Sequence, residues 1–423
     1  MAVTCWRQMA ACGVVLGAVY LAIPAPAAAS PLWIRQVGTR ADDSARAVAT
    51  DLAGDVYLAG FTQGSLGAAN RGESDAWLVK IGIDGQLLWR RQVGTAAVDN
   101  ALGVATDPAG DIYIAGTTQG SLAGANRGDF DAWVAKYDAA GNELWRRQFG
   151  TVESDFATGV AADTLGDVYL TGNTSGALGG ANPGGFEEAW VAKYDPAGHP
   201  LWKRQLGSQN FTQASGVAVD DRGDAYITGR TIGALAGPSH GDEDAWIAKY
   251  DAAGSLRWKR QLGTATEDVS NAVATDPGGN VYITGMTWGA LVRPNPNGVA
   301  DAWLAKFDKD GGLQWKRQFG TAEWDQAYGV ATDGAGSVYV TGETLGSLGG
   351  ASKGQRDAWL AKYSAAGTVQ WTQQLGTKGN EIAYGVATDT ASHVYITGTT
   401  GGWLAGPGHG LLDGWVAQYS AGD

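Results

Sequence analysis

The sequence predicts an all-β chain folded as a seven-bladed β-propeller, with four antiparallel strands in each blade. Three observations predict it. A phrase of the form D-A-W-x-A-K-Y, a glycine turn and then W-x-R-Q recurs down the chain; its second tryptophan falls at Trp33, Trp89, Trp145, Trp202, Trp258, Trp315 and Trp371, with spacings of 56, 56, 57, 56, 57 and 56 residues. A fixed period of this order marks a propeller, a solenoid or an array. Each unit breaks into four short apolar runs separated by Gly, Asn and Asp, the signature of consecutive hairpins. Residue size also grades along the four runs, from Gly, Ala and Val in the first to a tryptophan in each of the third and fourth. A wedge-shaped sheet that converges on an axis needs that gradient.

In chain order, residues 1–29 lie outside the repeat. A single Arg7, the apolar run Met9 to Ile23 and the small-residue pattern Ala27-x-Ala29 read as a secretory signal peptide, too short in its apolar part to span a membrane. Residues 30–423 are then one propeller domain. Both cysteines, Cys5 and Cys12, fall in the leader, so the mature chain is expected to use neither disulfides nor thiolate chemistry.

Within a unit, GVAADT and its relatives form the first strand and DVYLTGNT the second, joined by a D-x-x-G turn; DAWVAKYD forms the third and ELWRRQFG the fourth, joined by a second glycine turn. The second and third runs are apolar on both faces, Ile112 and Ile114 alternating with Tyr113 and Ala115. Side chains alternate across a strand, so such a sheet is sandwiched between neighbours. The fourth run carries basic pairs such as Arg90-Arg91 and Lys203-Arg204, read here as protection of an outer edge. The repeat starts in phase with a fourth strand, from Leu32, and its last unit stops after a third, at Ser420. The first strand is therefore expected to complete the last blade and close the ring.

The unit D-A-W-x-A-K-Y-D-x-x-G-x-x-x-W, followed by Q-x-G-T and V-A-T-D-x-x-G-x-V-Y-x-x-G-x-T, resembles the bacterial seven-bladed β-propeller repeat of exported and cell-surface proteins. That resemblance implies export and a surface or binding role, with no shared catalytic chemistry. VATDPAGDIYIAG, from Val104, is similar to the NHL propeller repeat. YDAAGNELW, from Tyr137, is similar to the tryptophan-docking repeat of quinoprotein dehydrogenases, but those have eight blades, and this chain has seven units and no adjacent cysteine pair, so no quinone or other cofactor is expected.

Comparison of the units with one another separates scaffold from decoration. Asp51, Asp107, Asp163, Asp220, Asp276, Asp333 and Asp389 precede every first hairpin turn and are assigned to its backbone. Asp43, Asp99, Asp155, Asp268, Asp325 and Glu381, with Thr212 as the exception, are assigned to loop fastening rather than to a metal. No catalytic constellation is legible: His199, His240, His393 and His409 form no H-E-x-x-H, and neither a G-x-S-x-G elbow nor a P-loop occurs.

The departures point elsewhere. Trp288, Trp324 and Trp403 belong to no repeated position, and the position eight residues after each Q-x-G glycine reads Arg46, Leu102, Thr158, Ser215, Asn271, Tyr328 and Tyr384. Trp288, Trp324, Tyr328, Tyr384 and Trp403, with His409 nearby, are the candidate ligand-binding residues, on one face of blades five to seven. Aromatic side chains combine apolar area with a polar handle. With 30 basic and 43 acidic residues, net charge −13, neither nucleic acid nor anionic lipid is an expected partner. The expectation is a non-enzymatic binding or scaffolding module of the cell envelope, secreted, periplasmic or at the cell surface. Its partner is a carbohydrate or an extracellular protein; the alternative is an extracellular polysaccharide hydrolase or lyase.

Overall fold

A computed structural model describes residues 30–180, 182, 186–295, 298–406, 408 and 410–422. The expected leader, residues 1–29, and His409 lie outside the described residues. Among these residues every regular element is a strand, numbered β1 to β28 along the chain, and the strands form seven four-stranded antiparallel sheets. The first blade is β2 (Asp43–Thr50), β3 (Val56–Thr62), β4 (Asp75–Ile81) and β5 (Leu87–Val93), ordered from the axis outwards. The last is β26 (Glu381–Thr388), β27 (His393–Thr400) and β28 (Asp413–Ser420), completed by β1 (Trp33–Val37), with Trp33 opposite Gln418 and Val37 opposite Gly414. Ring closure by the N-terminal strand is thus observed.

The core lies between blades. The third-strand tryptophans Trp77, Trp133, Trp190, Trp246, Trp303, Trp359 and Trp415 are fully buried. Trp190, for example, packs with Tyr113, Ala115 and Val134 of the preceding blade. In the second blade the second and third strands are buried along their whole length, as two apolar faces require.

Two devices repeat around the ring, one between adjacent blades and one within each blade. On the outer strands, the arginine of each W-x-R-Q donates its Nε–H to a glycine carbonyl in the next blade's outer hairpin. The pairs are Arg35 to Gly85 (2.6 Å), Arg91 to Gly141 (2.7 Å), Arg147 to Gly198 (3.1 Å), Arg204 to Gly254 (2.7 Å), Arg260 to Gly311 (2.8 Å) and Arg317 to Gly367 (2.7 Å). A fastening between blades is therefore the task of these arginines, in addition to any protection of an edge. The neighbouring tryptophan lies on the same glycine, which also has a positive φ, so two constraints exclude a Cβ there: at Gly254, φ 77°, it would come 2.6 Å from Trp202. The sixth blade has Gln373 in place of the arginine. Its neighbour is the closing blade, where β28 pairs with β1 from the other end of the chain.

The second device sits on the face of the first hairpins, called here the lower face. Asp51 accepts the Ala53 and Asp55 amides and the Tyr57 hydroxyl, at 3.0, 3.0 and 2.9 Å, while Lys80 bridges to Asp55 at 2.8 Å. The aspartate and tyrosine recur in all seven blades. The turn role assigned to these aspartates is the observed one.

Candidate functional site

The opposite, upper face gathers the loops between second and third strands and those between blades. Part of it repeats. Gln92 accepts the Leu66 and Gly67 amides at 2.7 and 3.0 Å and donates to Asp75 at 2.9 Å, tying the long loop to the outer strand. Asp99 accepts the Thr95 amide at 2.5 Å and its hydroxyl at 2.8 Å, with Thr118 donating at 2.5 Å. Asp43, Asp155, Asp268 and Asp325 hold their threonines in the same way, and Glu381 does so with both oxygens. Loop fastening is therefore what this acidic set does. Burial pushes the carboxyls of Asp43, Asp99, Asp155, Asp268 and Asp325 above the usual carboxylate range, and the facing Asp413, Asp75, Asp131, Asp244 and Asp301 add to the rise.

Against that constant frame, one position varies in every blade and has a special backbone. Ala45 pairs with Gly60 and Ala47 with Ala59, so Arg46 between them has no opposite residue. The same β-bulge recurs at Leu102, Thr158, Ser215, Asn271, Tyr328 and Tyr384. A bulge re-aims a side chain out of the ladder. All seven line an axial cavity of about 200 Å³. The flanking residues are small in each blade, which leaves the bulged side chains to decide what the cavity presents.

Further out, three more variable positions fill the upper layer, with a different chemistry in each sector. Between the second and third blades Phe130 and Phe156 pack at 5.0 Å. Around the fourth, Arg230 pairs with Glu243 at 3.2 Å and with Gln213 at 3.0 Å. In the sixth, Arg356 pairs with Glu343 at 2.7 Å, and Glu343 accepts the Tyr328 hydroxyl at 3.0 Å. The upper face is thus a non-repeating surface carried on a repeating scaffold.

The candidate aromatics fall into three groups on this face. Trp288 and Trp324 meet edge to face at 5.2 Å and pack, half-buried, on Val269, Met286 and Ala300; both indole N–H groups are buried without a hydrogen-bond partner. Tyr328 and Tyr384 meet at 5.4 Å in the axial ring, and Arg46 lies 4.3 Å over the Tyr384 ring. Trp403 stands apart, 72 % exposed, beside a cleft of about 510 Å³ lined also by Thr377, Lys378 and Gly402. The sequence brought Arg46 to notice only as one of a variable series. Its signal was there: a single basic residue among seven bulge positions in a strongly acidic chain.

Among the described residues no helix is long and apolar enough to cross a membrane, and no cluster of three or more His, Cys, Asp or Glu is arranged to hold a metal ion. His240 and His393 lie within 3.3 and 2.7 Å of Asp244 and Asp389, residues of the repeating frame.

Among known proteins, the regulatory protein FlaEY of Caulobacter vibrioides is 27 % identical over 355 residues, 69 % of this chain and 36 % of its own length. A WD repeat-containing protein, L264, of Acanthamoeba polyphaga mimivirus is 19 % identical over 75 % of this chain and 31 % of its own. The chain thus spans about a third of the length of these relatives. Sqt1 from Chaetomium thermophilum aligns with 92 % of this chain and 91 % of its own at 11 % identity, with a TM-score of 0.49. The SBBP beta-propeller repeat matches seven times, at residues 32–67, 88–123, 144–180, 201–235, 257–291, 314–349 and 370–402. With one match in each unit and more than half of the sequence covered, the chain belongs to the SBBP beta-propeller repeat family.

Proposed function

We propose that this propeller is a non-enzymatic binding module of the cell envelope that captures a carbohydrate on its upper face. The observation that carries this reading is the division between the two faces. The lower turns repeat in all seven blades, whereas the upper bulge positions read Arg, Leu, Thr, Ser, Asn, Tyr and Tyr. Scaffold needs repetition; recognition of one ligand needs departures from it. The ring offers hydroxyl, amide, aromatic and guanidinium groups, which suit hydrogen bonding and stacking to a sugar. Trp403 supplies an exposed ring on the rim. Export through a leader ending near Ala29 belongs to the same reading, and N-terminal sequencing of the protein recovered from culture tests it.

The test is a glycan-array screen of the chain from residue 30, with product analysis of every retained ligand. Capture without turnover, reduced at least tenfold by Trp403→Ala or by Trp288→Ala with Trp324→Ala, supports binding. Product release would establish the hydrolase or lyase reading instead. Capture of an extracellular protein with silence on every glycan would replace the ligand class.

A further inference from the structure

Arg46 is the one bulge residue that carries a charge, and it lies where the innermost strands converge. Its guanidinium is stacked 4.3 Å over Tyr384 and 5.2 Å from the ring of Phe61. Stacking engages the flat face of a guanidinium and leaves its in-plane N–H donors free. None of these donors has a hydrogen-bond partner among the described residues, and the Nε is buried. The side chain is half-buried, and among the described residues no carboxylate pairs with it, although the sequence holds 43 acidic residues. Two other arginines of the upper layer behave differently: Arg230 and Arg356 each hold a glutamate, at 3.2 and 2.7 Å.

The rest of the ring limits what the missing anion belongs to. Across the channel from Arg46 and Tyr384 lie Thr158, Ser215 and Asn271 of blades three to five. Thr158 and Asn271 each donate to a carbonyl of the next blade, at 2.9 and 2.8 Å, while the Ser215 hydroxyl and the Asn271 Oδ1 have no protein partner among the described residues. A cavity of about 200 Å³ admits one small group rather than a polymer segment. It offers a guanidinium and an aromatic ring on one side and neutral hydrogen-bonding groups on the other.

We propose that the axial cavity receives the carboxylate of an acidic sugar residue, a hexuronate, with Arg46 holding the carboxylate, Tyr384 lying against the pyranose and Ser215 and Asn271 meeting its hydroxyls. This rests on the carbohydrate-binding reading and names the chemistry of the residue recognised. Planar, bidentate recognition of a carboxylate is the task to which a guanidinium is best matched.

The experiment titrates the chain from residue 30 with galacturonate and glucuronate trisaccharides, their methyl esters, and the corresponding neutral hexose trisaccharides. The Nε–H signal of Arg46 in a 15N spectrum, assigned by its loss in Arg46→Lys, is followed throughout. Binding of a uronate, at least tenfold weaker for its methyl ester and for Arg46→Gln, with a shift of the Arg46 signal, is the expected result. Because Arg46 hydrogen-bonds to nothing among the described residues, Arg46→Gln should keep the wild-type thermal midpoint, which separates lost contact from lost fold. Equal affinity for acid and ester, or an unchanged Arg46 signal at saturation, would overturn the inference while leaving a carbohydrate-binding face in place. Absence of uronate binding would overturn it too; the glycan array then decides whether the broader reading falls with it.

Discussion

At the scale of single residues, chemically similar groups do different work according to what they touch. Arg204 donates at 2.7 Å to the Gly254 carbonyl across a blade junction, whereas Arg46 donates to no group among the described residues. A hydrogen bond from a charged donor contributes about 1.5–3 kcal/mol, so Arg204→Gln should lower stability toward the lower end of that range, given its partial exposure. Arg46→Gln should change it by less than about 0.5 kcal/mol. Urea midpoints of the two variants, measured side by side, check this, and equal losses would contradict it. Two glycines give a second comparison. Gly110 and Gly254 both have positive φ, at 84° and 77°, but a Cβ at Gly110 meets nothing within 4 Å, while at Gly254 it meets Trp202 at 2.6 Å. Gly110→Ala should cost about 1 kcal/mol from backbone strain. Gly254→Ala should cost about 1–3 kcal/mol more from overpacking. A common value for both would mean that the tryptophan yields freely.

At the scale of elements, the blade was legible and its finer joints were not. The strand pieces, their order from the axis and the turn aspartates follow from apolar runs, residue size and turn chemistry, all local in sequence. The arginine staple is not local: Arg91 meets Gly141 fifty residues later, and a repeat pattern shows that both residues recur without showing that they touch. The bulge is hidden for a related reason. In Ala45-Arg46-Ala47 nothing in the alternation marks the unpaired residue; only the variability between small neighbours marks the position. The aromatic candidates sit at upper-face positions of the chain, but their division into three groups depends on packing against Val269, Met286 and Ala300, and on the ring itself. The fastening carboxylates set a pH dependence at this scale. Burial raises the pKa values of Asp43, Asp99, Asp155, Asp268 and Asp325. A raised carboxyl binds its proton more tightly in the folded chain, so its contribution to stability is present at low pH and is lost as pH rises through the raised value. The thermal midpoint should therefore be higher at about pH 5 than at about pH 7, and Asp155→Asn should flatten that slope. A midpoint that climbs steadily from pH 5 to 7 would contradict the assignment.

For the whole molecule, stability comes from the ring: a third-strand tryptophan such as Trp190 is buried against the preceding blade and a fourth-strand one such as Trp89 reaches the next, so no blade is complete alone. Closure depends on β1, which covers β28 over five residue pairs and sets Trp33 against Tyr395 at 6.1 Å. Removing residues 30–37 should lower stability by about 3 kcal/mol or more, the scale of deleting one large packed aromatic, and leave β28 as an open edge prone to association. A synthetic peptide of that segment, added in trans, should restore the midpoint; an unchanged midpoint without the segment would show that closure does not depend on it. Function is assigned at this same scale, to the contrast between a repeating lower face and a non-repeating upper one. The measurement that tests it most directly is hydrogen–deuterium exchange of the chain with and without a ligand retained on the glycan array. Protection confined to the upper loops and to the amides around Arg46, Ser215, Tyr328 and Tyr384 is the expected result, and protection centred on the lower Asp-x-x-Gly turns would contradict it.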